Sequence, residues 1–276
     1  MDIRELVDNH LANKENNRDH SYWHVSSLGM CLGGAYFERL GVLPDYNNDA
    51  RTLRIFDVGN IFEEWLLDVA EPSLEKDTRM ERQEDLVDEE LDLTGHPDAT
   101  IYKGKDLLDT WEIKTMHSRG FWHMDNEGQK GKPHHRLQLW SYLKMSGGAK
   151  GRLMYVSKDD LATRQYEVLA DDKDLESEFS RAIGELNGAW KTKKPPAIIR
   201  DHTDWRTGYC RWHSHCLESV GLTDIYVSES QKEIYRAMET HKGYHNESVP
   251  GRKTPLRFKI VNIKDYRDQL RSVEKN

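Results

Sequence analysis

The chain has 276 residues, with a hydrophobic fraction of 37%, a charged fraction of 32% and a formal net charge of -8. This length exceeds that of a usual single domain, so we expect one core domain with modest additions rather than two equal halves. The negative charge is the wrong sign for a protein that coats nucleic acid electrostatically. Any contact with a polyanion must therefore be local.

The N-terminal segment is charged from Asp2 onward, and no apolar run approaches the ~18 residues that a membrane span requires. We therefore expect neither a signal peptide nor a membrane anchor. The three cysteines are an odd number, which argues against a disulfide framework and favours free thiols or metal ligands. Together these features predict a cytoplasmic protein without a membrane partner.

Helices are predicted in the N-terminal part of the chain. Apolar residues recur on one helical face over residues 3–11. A second helix is expected over residues 28–40, with Ser26 and Ser27 as candidate N-caps, and a third over residues 49–70. The third helix is expected to bury an apolar stripe formed by Leu53, Phe56, Phe62, Trp65, Leu66 and Val69.

The pattern changes to short alternating runs over residues 86–115, which predict a hairpin within a sheet, with a turn at residues 103–106. The elements predicted next are a helix over residues 134–145, strands over 152–157 and 164–169, and an amphipathic helix over 175–190. A segment rich in Trp, His and Cys is then predicted as a loop that ends near Cys216.

Three charged residues come together in the predicted hairpin. Asp98 stands at the start of one strand, and Glu112 and Lys114 lie two apart on its neighbour. Alternate residues of a strand share a face, so Glu112 and Lys114 point the same way and Asp98 can join them. Two carboxylates can hold a hard cation that activates water, and an adjacent lysine can orient that water. The spacing therefore predicts a metal-assisted phosphodiester hydrolase.

An acid-x-Lys tripeptide is a weak pattern by itself, since residues 171–173 repeat it in a predicted loop. A Gly-x-x-Asp turn upstream and a leading apolar strand distinguish residues 112–114. Gln138 and Tyr142 lie four apart on one face of the next predicted helix, and both could face the site. The alternative is that Tyr142 belongs to the apolar face of this helix and Gln138 is solvated.

This order of motifs resembles the PD-(D/E)xK nucleases of the RecB type, in which an aspartate, an acid-x-Lys strand and a Gln-x-x-x-Tyr helix follow one another. The resemblance covers about residues 22–217. It implies an α/β, restriction-endonuclease-like core with a central mixed sheet flanked by helices and an N-terminal helical cover. We assign residues 1–220 to this domain and residues 221–276 to a C-terminal appendage with one or two helices and a short strand at 256–261.

The resemblance also implies an activity, the Mg²⁺- or Mn²⁺-dependent hydrolysis of DNA, by an exonuclease of recombination, repair or phage DNA metabolism. Asp98, Glu112 and the carbonyl of Ile113 would bind the metal, and Lys114 would position the attacking water. Gln138 and Tyr142 would orient the lysine or the scissile phosphate. The alternatives are a catalytically inactive DNA- or partner-binding protein with a nuclease fold, and a site-specific endonuclease.

In many relatives a histidine on an N-terminal helix, a few residues after a glycine, completes the metal shell. Glu63 stands at the resembling position here, after Gly59. Other members of the wider superfamily use a glutamate there, so the resemblance implies Glu63 as a further metal ligand. Glu64 is an equally good oxygen donor, and a solvated helix carboxylate is the alternative.

The cysteines Cys31, Cys210 and Cys216 resemble those of the iron–sulphur subset, which includes the CRISPR adaptation nucleases and phage exonucleases. In that subset one N-terminal cysteine joins a Cys-x2-Cys-x5-Cys group, whose first cysteine is replaced here by Thr207. Three possibilities stay open: a three-thiolate cluster with a foreign fourth ligand, a Zn²⁺ site that uses His213 or His215, and buried thiols without metal.

The loop before residue 134 combines basic and aromatic residues. This composition suits a groove that tracks phosphates and stacks bases, although a solvated basic face is the commoner alternative. The residues concerned are Arg119, Phe121, Trp122, Lys130, Lys132 and Arg136.

Overall fold

The computed structural model describes residues 2–14, 18–124, 130–197, 204–219, 224–227 and 257–260. The helices are α1 (Ile3–Ala12), α2 (Leu32–Arg39), α3 (Ala50–Ala70), α4 (Ser118–His123), α5 (Pro133–Ser146), α6 (Lys173–Thr192), α7 (Trp205–Tyr209) and α8 (His213–Ser219). The strands are β1 (Trp23–His24), β2 (Thr78–Arg82), β3 (Leu86–Asp88), β4 (Leu93–Gly95), β5 (Ala99–Lys103), β6 (Asp106–Met116), β7 (Lys150–Ser157), β8 (Thr163–Leu169), β9 (Asp224–Val227) and β10 (Arg257–Ile260). In the part of the chain that is described, no helix is both long enough and apolar enough to cross a bilayer.

The chain forms two compact units, whose boundary falls within α6. One unit comprises Met1–Gly29 and Asn48–Ile183, and the other Met30–Asn47 and Gly184–Asn276. Of the appendage predicted for residues 221–276, only β9 and β10 are described, and they pair in parallel. The strand expected at 256–261 is thereby found, whereas the helices expected there lie outside the described residues and the domain boundary at residue 220 stays a prediction.

The first unit is built on a mixed five-stranded sheet in the order β2-β5-β6-β7-β8. Strands β6 and β7 run parallel, and the other neighbours are antiparallel. A smaller sheet, β1-β4-β3, also mixes both directions. The predicted fold class, α/β with a central mixed sheet and flanking helices, is confirmed. The predicted hairpin is β5–β6, and its turn uses Gly104 at a φ of 61°, which favours glycine.

Helices pack on both faces of the five-stranded sheet. Glu112, Lys114, Leu153 and Tyr155 share one face because Glu112 pairs with Leu153 and Lys114 with Tyr155 across the parallel strands β6 and β7. Helix α5 packs on this face, and its Leu137, Leu139 and Leu143 are fully buried. On the opposite face Leu67 of α3 packs in a cluster with Met80, Ala99, Ile101 and Ile113. The sheet therefore carries its charged strand residues into the layer beneath α5.

The structure corrects several expectations about helices. Helix α2 begins at Leu32 rather than Leu28: residues 25–27 form a separate 3₁₀ turn, and Cys31 occupies the N-cap position without a side-chain hydrogen bond to the helix. The expected buried stripe of α3 is wrong: Phe56, Trp65 and Val69 are 54%, 49% and 58% exposed. Only Leu67 of this helix is fully buried, since α3 meets the sheet along a narrow strip. The loop expected before Cys216 instead contains the short helices α7 and α8.

A pair of glycine substitutions tests the packing of α5 on the sheet. A Cβ added at Gly151 would lie 2.8 Å from both the Thr110 carbonyl oxygen and Leu139 Cδ1, so Gly151→Ala is expected to lower the free energy of unfolding by about 1–3 kcal/mol. Gly184 in α6 faces open space, and Gly184→Ala is expected to raise it by up to about 1 kcal/mol. Urea unfolding of both variants checks the signs, and equal effects would contradict this packing.

Candidate active site

The structure brings Asp98, Glu112 and Lys114 together at β5 and β6. The carboxylate of Glu112 has no solvent exposure, and Lys114 Nζ forms an ion pair with its Oε1. Asp98 immediately precedes β5 and is 7% exposed, and its Oδ2 accepts a hydrogen bond of 2.6 Å from the backbone N–H of Ile113. This bond holds the Asp98 carboxylate against β6, between the strand positions of the other two residues.

Glu63 joins this group through Gln83, a residue that no sequence motif indicated. Gln83 Nε2 donates to Glu63 Oε1 at 2.6 Å and lies 3.4 Å from Asp98 Oδ1. The adjacent Glu64 is exposed, so α3 presents Glu63 rather than Glu64 to the cluster. Gln83 follows β2, a strand that sequence reasoning missed because only its Met80 is buried. A positive φ of 50° turns the chain at Gln83 toward the site.

The electrostatics of the cluster follow from burial. Burial, and next the charge of Asp98, raises the pKa of Glu63 to about 7 and that of Glu112 to about 8. The pKa of Asp98 is also raised, because burial outweighs the favourable Lys114 charge and the Ile113 N–H. Burial alone would lower the pKa of Lys114, but Glu112 and Asp98 outweigh it and raise this pKa. Three carboxyl groups thus share one ammonium group.

The donor set of the cluster matches a hard divalent cation. Both carboxylate oxygens of Glu112 are buried and lack a hydrogen-bond partner of good geometry, so Lys114 compensates them only in part. Within the described ranges, no group of three or more His, Cys, Asp or Glu side chains is already arranged around a common metal position. The carboxylates instead engage Lys114, the Ile113 N–H and Gln83. Three carboxylates are oxygen donors of the kind that Mg²⁺ and Mn²⁺ take.

Gln138 and Tyr142 both lie at the cluster. Gln138 Nε2 donates to the Tyr142 hydroxyl at 3.1 Å, and the tyrosine is buried. Burial, and next the charge of Glu112, raises the pKa of Tyr142 well above its ordinary value. The ring lies against Gly95, where an added Cβ would be 2.6 Å from Tyr142 Cε1. Tyr142 therefore belongs both to the buried face of α5 and to the site.

A cavity of about 690 Å³ adjoins the cluster. Gln83, Gln138 and Tyr142 line it on the side of the carboxylates, and polar residues including Arg18 and His96 line it elsewhere. Its volume lies in the range of ligand-binding clefts. The cavity thus borders the side chains that contact the carboxylates, while the carboxylates themselves lie behind its lining.

The cysteines form a separate cluster in the second unit. Cys31, Cys210 and Cys216 are free and buried, and their thiols hydrogen-bond one another. These bonds, from Cys210 first, hold the pKa of Cys31 well below its ordinary value. The two glycines at the start of α2 leave room for sulphur, because an added Cβ would lie 2.5 Å from Cys216 Sγ at Gly33 and 2.9 Å from Cys210 Sγ at Gly34.

Thr207 and the two histidines considered as a fourth metal ligand at the cysteines, His213 and His215, differ in their surroundings. Thr207 donates its hydroxyl to the Asp204 carbonyl at 2.8 Å. His215 Nε2 lies 3.2 Å from the Leu43 carbonyl oxygen. Burial lowers the pKa of His213, and the charge of Cys31 opposes this shift, which places His213 within electrostatic range of the thiols.

The structure contradicts one part of the predicted phosphate-tracking loop and leaves the rest a prediction. Phe121 is 1% exposed, so its expected role as a stacking platform is wrong: its ring is buried with the Arg164 guanidinium 4.2 Å from its centre. Trp122 is 53% exposed, but its indole N–H donates to Asp160. Arg136 pairs with Asp172 at 2.7 Å. Residues 125–129 of this loop lie outside the described residues.

Comparisons with known proteins give only structural neighbours. No family model and no curated protein matches the chain. Matching solved structures include SSO0001 (19% identity, covering 78% of this chain and 96% of that one, TM-score 0.47) and the alkaline exonuclease LHK-Exo from Laribacter hongkongensis (14%, 63% and 91%, 0.46). A phage-related exonuclease from Haemophilus somnus 129PT also matches (12%, 63% and 96%, 0.42). At these identities and TM-scores the matches carry no functional information about this chain.

The raised pKa of Glu112 makes a prediction for the metal-free protein. A carboxyl group with a raised folded-state pKa stabilises the fold below its ordinary pKa of 4.5, and this stability is lost as pH rises through about 8. In EDTA at pH 9, Glu112→Gln is therefore expected to be more stable than wild type, by roughly 1–2 kcal/mol, and the difference should vanish near pH 5.

Thermal unfolding between pH 5 and pH 9 measures this effect, with the exposed Glu64→Gln as the matched control. Wild type and Glu112→Gln curves that run parallel over this pH range would contradict the buried-charge description.

Proposed function

We propose that the protein is a divalent-metal-dependent nuclease that hydrolyses DNA phosphodiester bonds. The observation that carries this proposal is the pair of buried carboxylates, Asp98 and Glu112, beside Lys114. A solvent-facing strand pattern, the alternative for an acid-x-Lys tripeptide, does not bury its acid completely. Burying charges costs several kcal/mol, roughly, per group unless they are compensated, so such a cluster is typical of a functional site.

In this proposal the carboxylates of Asp98, Glu112 and Glu63, with the Ile113 carbonyl, hold Mg²⁺ or Mn²⁺. When bound, the cation would polarise a phosphoryl oxygen and lower the pKa of a bound water. Lys114 then turns from Glu112 to position the attacking water and to stabilise the charge that develops on the phosphate. Gln138 and Tyr142, fixed by their mutual hydrogen bond, orient Lys114 or the scissile phosphate. The motif resemblance favours action from DNA ends.

End-labelled duplex and single-stranded DNA incubated with Mn²⁺ or Mg²⁺ tests the activity. Glu112→Gln and Lys114→Ala are expected to lower the cleavage rate by about 100-fold or more, because each removes a group of the reaction centre. Lys173→Ala, in the exposed second acid-x-Lys tripeptide, is the matched control and should cleave like wild type.

The pattern of products separates the alternatives. Progressive shortening supports an exonuclease, whereas discrete fragments identify a site-specific endonuclease. DNA left equally intact by wild type and variants would reject the nuclease proposal and favour a binding protein with this fold.

For the cysteine cluster we propose a structural Zn²⁺ site formed by Cys31, Cys210, Cys216 and His213, which would draw together around the ion, since the described side chains are not already arranged around one metal position. Three thiols and one imidazole are a donor set that zinc takes. A three-thiolate iron–sulphur cluster fits less well, because it needs a foreign fourth ligand: Thr207 supplies no thiol and its hydroxyl donates to the Asp204 carbonyl. The ion would link the start of α2 to α8 within the second unit and stabilise that unit.

Metal analysis of protein purified without oxygen tests this site. We expect one zinc per chain and no visible absorption, with zinc released to a chelator more readily from His213→Ala than from wild type. His215→Ala is the matched control and should retain zinc. Brown protein with bound iron would show an iron–sulphur cluster instead, and metal-free protein would show that the thiols are only buried.

A further inference from the structure

One histidine of α5 lies at the site without a role in the scheme above. His135 falls on the same helical face as Gln138 and Tyr142, one turn before Gln138. Its ring centroid is 5.6 Å from that of Tyr155, which pairs with Lys114 across β6 and β7. His135 therefore stands over the sheet face that carries Glu112 and Lys114.

Hydrogen bonds define which ring nitrogen of His135 carries the proton. The backbone N–H of Lys132 donates to the Tyr155 hydroxyl oxygen at 2.9 Å. His135 Nδ1 lies 2.9 Å from the same hydroxyl, and no other hydrogen-bond partner of this hydroxyl exists among the described residues. We assign the tyrosine proton to Nδ1, because the buried hydroxyl then donates one hydrogen bond and accepts another, and this assignment leaves the imidazole proton on Nε2.

The Nε2–H group is available for a ligand. In the described part of the chain, Nε2 makes no hydrogen bond, and the ring is only partly buried. The charged or titratable groups that act on the ring are Lys114, His134 and Lys132, with no carboxylate among them. Burial, and next the charge of Lys114, lowers the pKa of His135 to about 2, so the imidazole is neutral. A neutral N–H donor close to the positive charges of Lys114 and Lys132 is suited to an anionic hydrogen-bond acceptor.

We propose that His135 is a substrate-positioning residue that donates its Nε2–H to a phosphodiester oxygen of the bound DNA strand beside Lys114. This inference rests on the nuclease function proposed above. A neutral donor binds a phosphate oxygen without adding positive charge next to Lys114 and a divalent cation. The Tyr155 hydroxyl and ring hold the imidazole in place, so the donor is positioned before the strand arrives.

Two amide substitutions separate positioning from a structural role. His135→Gln carries an N–H donor at about the distance of Nε2, whereas His135→Asn carries its amide near Nδ1 and can bond only Tyr155. If His135 positions the phosphate, His135→Gln should retain most of the activity. His135→Asn and His135→Ala should then raise KM or lower kcat/KM by about 10- to 100-fold. If the histidine only supports Tyr155, His135→Asn should retain the activity and His135→Gln should not, and this result would overturn the proposal.

Binding of a fluorescent oligonucleotide in Ca²⁺, measured by anisotropy, gives a readout that does not need turnover. His135→Ala and His135→Asn are expected to bind about tenfold more weakly than wild type and His135→Gln, with the exposed His10→Ala as the matched control. If wild type leaves DNA intact, the nuclease function is rejected, but the role of His135 in binding DNA is not. Equal affinity of wild type and His135→Ala would reject the role of His135, whatever the activity.

Discussion

Glu112 imposes the main constraint on the first unit, because its carboxylate is completely buried within a five-stranded sheet. A buried charge must find a counter-charge, a proton or a cation. Lys114, on the same face of β6, supplies one positive charge, and Asp98 and Glu63 add two more carboxyl groups to the same volume. The raised pKa values of all three acids record that the protein alone does not neutralise them. Without a further cation, these raised pKa values mean that protons neutralise part of the cluster.

The surrounding elements hold this arrangement by ordinary packing and hydrogen bonding. The parallel pairing of β6 with β7 sets Tyr155 beside Lys114, and α5 covers both. The Ile113 N–H fixes Asp98, while Gln83 joins Asp98 to Glu63 on α3. The side chains of the site thus come from several strands, turns and helices of one unit, with two of them on β6 and two on α5. Small displacements of α5 or α3 would change the distances between charges, which is why close glycine contacts at Gly95 and Gly151 matter.

The sequence predicted those residues of the site that are related by a local periodicity, either the alternation of a strand or the turn of a helix. Glu112 and Lys114 share a face because a strand alternates, Asp98 joins them through a hairpin, and Gln138 and Tyr142 lie one helical turn apart. Gln83 could not be predicted in this way, since it reaches Glu63 only through tertiary folding and follows a strand with a single buried residue. The prediction of which face of α3 is buried was wrong for a related reason. Apolar residues surround most of that helix, so the sequence pattern did not show that only Leu67 would be fully buried.

The two clusters of the chain differ in the hardness of their donors, and this difference separates their chemistry. Oxygen donors around Glu112 prefer small hard cations that leave positions for water, which suits hydrolysis. Sulphur and imidazole donors around Cys31 prefer zinc or iron, and a closed shell of such ligands leaves no position for a substrate. The cysteine cluster also lies in the unit that includes α2, α7 and α8, whereas every carboxylate of the candidate active site belongs to the other unit. Under the two proposals, loss of zinc at the cysteines would act first on the stability of the second unit, and loss of the divalent cation at the carboxylates would act first on chemistry.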